Sequence, residues 1–223
     1  MLPLRPVKIL EYLDWNGRSP YAEWFESLSA QAAAKVAVAI TRLAQGNFSN
    51  VKGVGGGVYE CRVNFGPGFR IYLGKDGERL VILLAGGTKK RQQNDIEDAM
   101  ARWQGLQEGE SCTSKSTMPL TRDFKETIRA RVRRDAAFRK ELLRESVECF
   151  LLGDIETGKA VLRDYINATI GFAELAEVTH HSSKSLMRML GPSGNPQARN
   201  LFEIVEYLQR KERVRFKVAT AAR

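Results

Sequence analysis

Glu60 and Arg62 stand two residues apart in Val58-Tyr-Glu-Cys-Arg-Val63, a β-prone run, so both side chains point to one face of one strand. Arg70 follows on the next β-prone run, across Gly66-Pro67-Gly68, and Lys89, Lys90 and Arg91 come directly after a third. Cations gathered at one end of a small sheet suit phosphate groups. The chemistry then open to them is phosphodiester scission through a ribose 2'-OH, which needs a proton acceptor, stabilisation of the charged phosphorane and a proton donor for the leaving oxygen. Both histidines, His180 and His181, lie in the second half of the chain. Such chemistry here therefore rests on Arg, Lys, Glu or Tyr, with electrostatic stabilisation carrying much of it. The same pattern also fits surface charges on a small sheet, and spacing does not separate the two.

A second constellation lies further along. Phe172-Ala-Glu-Leu-Ala-Glu-Val178, a short turn and Ser182-Ser-Lys-Ser-Leu-Met-Arg-Met-Leu190 read as two short helices, the first bracing the second for the major groove of DNA. Leu175 and Ala176 supply a large and a small inward residue, and Leu186 and Leu190 fix the second helix, leaving Ser183, Lys184, Ser185 and Arg188 to face outward. A guanidinium bonds guanine O6 and N7 together, so Arg188 is the candidate base contact, while Lys184 and the hydroxyls suit phosphates. Any two packed helices show similar apolar spacing, so a plain helical pair stays open beside DNA binding. A metal role for His180 and His181 needs ligands that the sequence does not show, and no metal or cofactor is expected.

The elements that must position these residues are readable from periodicity and punctuation. Val7–Leu13 alternates as a strand, and Ser19-Pro20 supplies an N-cap and first residue for a helix to about Leu28. Ala33, Val36, Ala37, Ile40 and Leu43 mark one face of a helix over Ala30–Gln45, ended by Gly46-Asn47. After the glycine-rich stretch Lys52–Gly57 come Val58–Phe65, Phe69–Gly74 and Arg79–Ala85, separated by Gly66-Pro67-Gly68 and Asp76-Gly77, which predicts an antiparallel meander. Asp95–Trp103 closes the unit as a helix with Ile96, Met100 and Trp103 inward. Residues 105–118 are small and polar, the composition of a flexible linker spanning about 20 Å as a coil. Met118-Pro119 then looks like the start of a second reading frame joined to the first.

Beyond that point the pattern is helical. Phe124, Ile128 and Val132 mark one helix; Asp135 caps a second with Phe138, Leu142, Leu143, Val147 and Phe150 inward. Asp154 begins a third carrying Ala160, Val161, Tyr165 and Ile166, and Asn195-Pro196 begins the last, bearing Leu201, Ile204, Val205 and Leu208. Val214–Ala219 is a candidate terminal strand. The expected class is α+β: a small antiparallel sheet with packed helices over 1–104, the linker, and an all-α helix-turn-helix domain over 119–223.

Two modest cores fit a chain of 223 residues. The net charge of +9 favours a polyanionic partner, because Lys and Arg displace counterions condensed on nucleic acid. Both halves share it: 14 basic against 10 acidic side chains in 1–104, and 20 against 14 in 119–223. Neither half is therefore an acidic mimic of DNA. Cys61, Cys112 and Cys149 are dispersed without a CxxC pair, against a disulfide framework or zinc site and in keeping with a reducing cytoplasm. The opening residues lack a basic region followed by an apolar run, and no stretch reaches the roughly 18 apolar residues of a span, so a soluble, unexported chain without membrane partners is expected.

Val58-Tyr-Glu-Cys-Arg-Val-Asn-Phe-Gly-Pro-Gly-Phe-Arg-Ile-Tyr72, Leu83-Leu-Ala-Gly-Gly-Thr-Lys-Lys90 and Asp95-Ile-Glu-Asp-Ala99 resemble the RelE/HigB superfamily of toxin–antitoxin toxins, over residues 1–104. Leu162-Arg-Asp-Tyr-Ile-Asn-Ala168, Phe172-Ala-Glu-Leu-Ala176 and Ser185-Leu-Met-Arg-Met-Leu-Gly-Pro-Ser-Gly-Asn-Pro196 resemble HigA-type addiction-module antidotes, over about 119–213. The resemblance implies an mRNA interferase acting on mRNA in the translating ribosome, joined to a domain that neutralises it, binds operator DNA as a homodimer and represses its own operon. It assigns Arg70 and Lys89 to phosphate and transition-state stabilisation, Arg62 to the same or to proton transfer, and Glu60 to acid/base work. Asp95 stands near where some ribosome-dependent members place a tyrosine. His180-His181 replaces the usual Gly-plus-aliphatic pair of the turn, and histidine tolerates a positive φ. Two alternatives remain: a non-catalytic ParE-like inhibitor of gyrase, and a transcription factor with a basic auxiliary domain.

Overall fold

The structure, a computed structural model, describes residues 6–77, 80–111 and 121–219. Arg79, Cys112 and Met118-Pro119, invoked above, lie outside these residues, as does the rest of the 112–118 segment. The architecture is α+β, as expected: a mixed sheet with helices, then an all-helical region, divided into Met1–Arg131 and Val132–Arg223.

The first unit begins with β1 (Lys8–Tyr12), α1 (Pro20–Ser27) and α2 (Ala30–Ala44). Ser19 accepts a hydrogen bond from the Ala22 amide at 3.0 Å and Ser29 one from Ala32 at 3.3 Å, so each helix starts on a side-chain cap. Then come β2 (Val51–Gly55), β3 (Val58–Val63), β4 (Phe69–Asp76), β5 (Leu80–Thr88) and α3 (Gln92–Ser111), followed by β6 (Thr121–Asp123) and α4 (Phe124–Arg134). The sheet order is β2-β3-β4-β5-β1-β6. The predicted meander is there as β3-β4-β5, but β5 pairs in parallel with β1, so the sheet is mixed. The reason is directional: β2 runs against β1, and three hairpins later β5 must run with it.

Two glycines let indoles lie directly on the sheet, one per face. A Cβ on Gly86 would stand 2.0 Å from the Trp24 ring of α1, and one on Gly74 2.2 Å from the Trp103 ring of α3. On the Trp103 side Val58, Tyr72, Ile82, Leu84, Ala99 and Leu106 form one buried cluster. Leu106 explains a departure from the sequence reading: α3 does not end near Gln104 but runs to Ser111, because Ala99, Trp103 and Leu106 continue its buried stripe at helical spacing. Most of the glycine-rich stretch, given no element by the sequence reading, belongs to β2, which pairs with β3 through a register shift between Gly53 and Gly55.

The second unit contains α5 (Ala136–Leu151), α6 (Ile155–Ala168), α7 (Gly171–Thr179), α8 (Ser183–Met189) and α9 (Ala198–Glu212). Asp135 caps α5, accepting from the Phe138 amide at 2.9 Å. On α5 the buried positions include Glu145, Ser146 and Cys149, whereas Val147 and Phe150 are half-buried. Glu212 accepts from Tyr165 (2.7 Å) and from Arg139 (3.0 Å), tying α9 to α6 and α5. Helix α9 starts at Ala198 with Gln197 as its cap, not at Asn195-Pro196, and residues 214–219 join no strand among the described residues.

Candidate functional site

The sheet brings Glu60, Arg62 and Arg70 together. Arg62 lies directly opposite Arg70 in the β3–β4 ladder and Glu60 opposite Tyr72, so all four share the face covered by α3. Glu60 is fully buried and its two oxygens are both engaged. Oε1 accepts from Arg62 Nε at 2.7 Å; Oε2 accepts from Gln92 Nε2 at 2.7 Å and lies 3.2 Å from Arg70 Nε. The Arg70 contact falls outside hydrogen-bonding alignment, so it is an ion pair rather than a directed bond. Exposure separates the two arginines: the Arg62 side chain is 46% exposed, that of Arg70 only 10%.

Around this trio stand groups that spacing did not single out. Gln92, the first residue of α3, supplies the second donor to Glu60 and accepts at its carbonyl from Tyr72 at 3.5 Å. Tyr72 is held protonated, pushed up to about 12 by burial and secondarily by Glu60 and Asp95. Asp95 places Oδ2, a buried oxygen without a hydrogen-bond partner among the described residues, where a side chain on Gly87 would sit, and burial raises its carboxyl above the usual range. Tyr72 was findable, since it alternates with Arg70 on β4. Gln92 was not, because nothing local marks a helix start as a carboxylate's partner.

Lys89 occupies a single 3-10 turn, Lys89–Arg91, with its side chain exposed, and its amide donates to Gly68 O at 3.3 Å. That bond sets the basic turn beside the Gly66–Gly68 hairpin, at the Arg70 end of β4. Because β1 runs with β5, the loop following β1 opens at this same end. Asp14 Oδ1 accepts from the amides of Asn16 and Arg18, each at 2.8 Å, and the loop so fixed presents Trp15 at 85% exposure. This end of the sheet thus offers two arginines aligned by a buried carboxylate, a solvated basic turn and an exposed indole.

In the second unit, α7 and α8 pack through Phe172, Leu175, Leu186 and Leu190, all buried, while Ala176 is only half-buried. The turn between them depends on His180, which adopts φ 54° in the left-handed region. Ser182 caps α8, accepting from the Ser185 amide at 3.2 Å. Ser183 turns inward, its hydroxyl donating to Phe172 O at 3.1 Å. Lys184 and Arg188 are exposed with Met187 between them on one face, and Ser185 is half-buried. Met187 is 50% exposed. Behind α8, Lys159 of α6 is buried and donates to Gly194 O at 2.5 Å, with Glu156 2.7 Å away, which pins the turn after the helix.

Among the described residues no cluster of three or more His, Cys, Asp or Glu is placed to hold a metal ion, and no helix is long and apolar enough to cross a membrane.

The family described as "Phage derived protein Gp49-like (DUF891)" matches residues 23–104, a stretch that runs from within α1 into α3 and holds the Glu60 cluster. An uncharacterized protein of Haemophilus influenzae is 41% identical over 80 residues, covering 35% of this chain and 81% of that one. The chain belongs to the Gp49-like family. That family is related to RelE and to toxin–antitoxin modules, which makes the Gp49-like unit a toxin–antitoxin-related domain. No solved structure matches. Glu60, Arg62, Arg70, Lys89 and Gln92 all fall inside the Gp49-like match, whereas Trp15 and the α7–α8 pair fall outside it.

Proposed function

We propose that the Gp49-like unit is an mRNA-cleaving toxin, acting in the translating ribosome, and that the helical unit is its antitoxin, binding operator DNA to regulate its own operon. The observation that carries the first half is the Arg62–Glu60–Arg70 array of a toxin–antitoxin-related domain, in which a buried carboxylate aligns two arginines and leaves Arg62 46% exposed. Arg62, the more exposed, meets the scissile phosphate; Arg70 and Lys89 add charge as the phosphorane forms, in a setting where fixed cations need no reorganisation. Glu60 is assigned a positioning role rather than proton transfer, because both its oxygens are occupied and none of it is exposed. Trp15 supplies a surface on which a splayed base stacks. The second half rests on the α7–α8 pair, with Arg188 toward bases and Lys184 and Ser185 toward phosphates. A homodimer matched to a palindrome and a cytoplasmic setting belong to this reading.

The test is to express residues 1–111 and 1–134 beside the full chain, each with and without Arg70→Ala, and to follow growth and mRNA integrity. Growth arrest and mRNA loss from a shortened chain, abolished by Arg70→Ala, are expected. Intact mRNA with both shortened chains removes the ribonuclease assignment, and arrest accompanied by altered plasmid supercoiling would move the reading to a gyrase inhibitor. For the helical unit, Arg188→Ala should cost about 1–3 kcal/mol in binding its own operator and relax sequence preference, whereas Lys184→Ala should weaken all DNA alike and reduce the salt slope.

A further inference from the structure

The Gp49-like sheet is completed by residues from beyond the polar segment. Strand β6 pairs antiparallel with β1, matching Leu10 with Asp123, Glu11 with Arg122 and Tyr12 with Thr121, and so covers the outer edge of β1. Glu11 is fully buried, and Arg122 Nη2 reaches its Oε2 at 2.8 Å while also donating to Thr127 at 3.1 Å. The other oxygen of Glu11 has no hydrogen-bond partner among the described residues. A carboxylate left buried without a cation is costly, so this one is built for an arginine that arrives 111 residues later.

A second anchor lies nine residues further on, in α4. Arg131 is buried, donates to Phe25 O and, at 2.6 Å, to Leu28 O, and lies over the Phe25 ring at 5.2 Å. It thus satisfies carbonyls where α1 ends, which is where a helix is most receptive to a cation. Phe124, Thr127, Ile128 and Arg131 recur at helical spacing and are all buried, whereas Glu126 and Arg129 face away and are exposed.

We infer that the β1 edge, Glu11 and the last turn of α1 form a docking site whose occupant is the Thr121–Arg131 segment, and that its two arginines hold the chain's halves together without the backbone between Ser111 and Thr121. This inference does not depend on the RNA-cleaving reading. The site selects a strand with an arginine facing its sheet partner, followed by a helix with apolar residues and a second arginine seven positions after its first apolar one.

The experiment places a protease recognition sequence within residues 112–118 of the full chain, tags the N-terminus, cuts, and measures retention of the C-terminal piece on a tag resin at micromolar concentration. The cut parent and an Arg129→Met control should retain it, and Arg122→Met with Arg131→Met should weaken retention at least tenfold. Separation of the cut parent, or equal retention by the double variant, overturns the inference. In case the double variant folds poorly, a synthetic peptide of residues 119–134 is added in hundredfold excess to the cut parent. Displacement of the C-terminal piece supports the docking site; no displacement overturns it.

Discussion

Glu60 is the shared partner of three side chains at the candidate site, so Glu60→Ala tests the whole array. It removes the acceptor of the Arg62 bond, the acceptor of the Gln92 bond and the counter-ion of Arg70 together. The three losses are unequal. Arg62 is 46% exposed, so water replaces most of its interaction and its share is about 0–1 kcal/mol. Arg70 is only 10% exposed, and stranding a nearly buried charge costs about 3–5 kcal/mol, trimmed here by the non-ideal alignment at 3.2 Å. A loss of about 3 kcal/mol is expected, or about 6–12 °C in Tm at the usual 2–4 °C per kcal/mol for chains of this size. Urea unfolding followed by tryptophan fluorescence measures it, since Trp24 and Trp103 both lie on this sheet. If stranding Arg70 is the cause, Glu60→Ala on an Arg70→Met background should cost less by about 1–3 kcal/mol. Equal costs on both backgrounds, or a change below about 0.5 kcal/mol on either, would refute the reasoning. For any RNA cleavage, Glu60→Ala should lower the rate while leaving the shape of the pH profile intact. Loss of one limb of that profile would instead make Glu60 a proton-transfer group.

Three further outcomes follow from the packing and the titrating groups. Burial holds Cys61 and Tyr72 each at about 12, above the values of the unfolded chain, so the folded state keeps protons that the unfolded state releases. Stability of the Gp49-like unit should therefore be full below about pH 9 and fall as pH rises toward about 12, read from urea midpoints at pH 8, 10 and 11. Gly86→Ala forces a methyl into the Trp24 ring and should cost about 1–3 kcal/mol, whereas Gly105→Ala, whose Cβ meets nothing within 4 Å, should add up to about 1 kcal/mol in calorimetry. His180→Gly relieves a left-handed residue and should stabilise the helical unit by about 0.5–1 kcal/mol, with His180→Val moving it the opposite way.

What was legible in the sequence was what local signals encode. Gly66-Pro67-Gly68 announced the β3–β4 hairpin and put Arg70 on the strand after Arg62, while the ladder itself sets the two directly opposite. Asp135 and Ser182 announced helix starts that their hydrogen bonds make. The histidine pair stands where glycine is usual in the α7–α8 turn; histidine tolerates a positive φ, and His180 adopts one. The elements that escaped are those defined by a distant partner. Three residues, Thr121–Asp123, carry no strand pattern and become β6 only against β1. Likewise Leu106 looks like a stray apolar residue until Trp103 and the sheet below give α3 a reason to continue. Even Glu60, singled out correctly as a neighbour of Arg62, gave no hint that Gln92 would take its other oxygen.

The late position of β6 also sets an order of events during synthesis. Strands β1 to β5 are all translated before Thr121–Arg131 exists, so the nascent sheet has an open β1 edge and a Glu11 without its arginine. Between the end of α3 at Ser111 and Arg131 lie 20 residues, about 1–4 s of elongation at 5–20 residues per second. For that interval the growing chain holds an unfinished sheet, exposed to whatever chaperone waits at the exit. By the time its last strand arrives, the ribosome has already begun to deliver the helical unit.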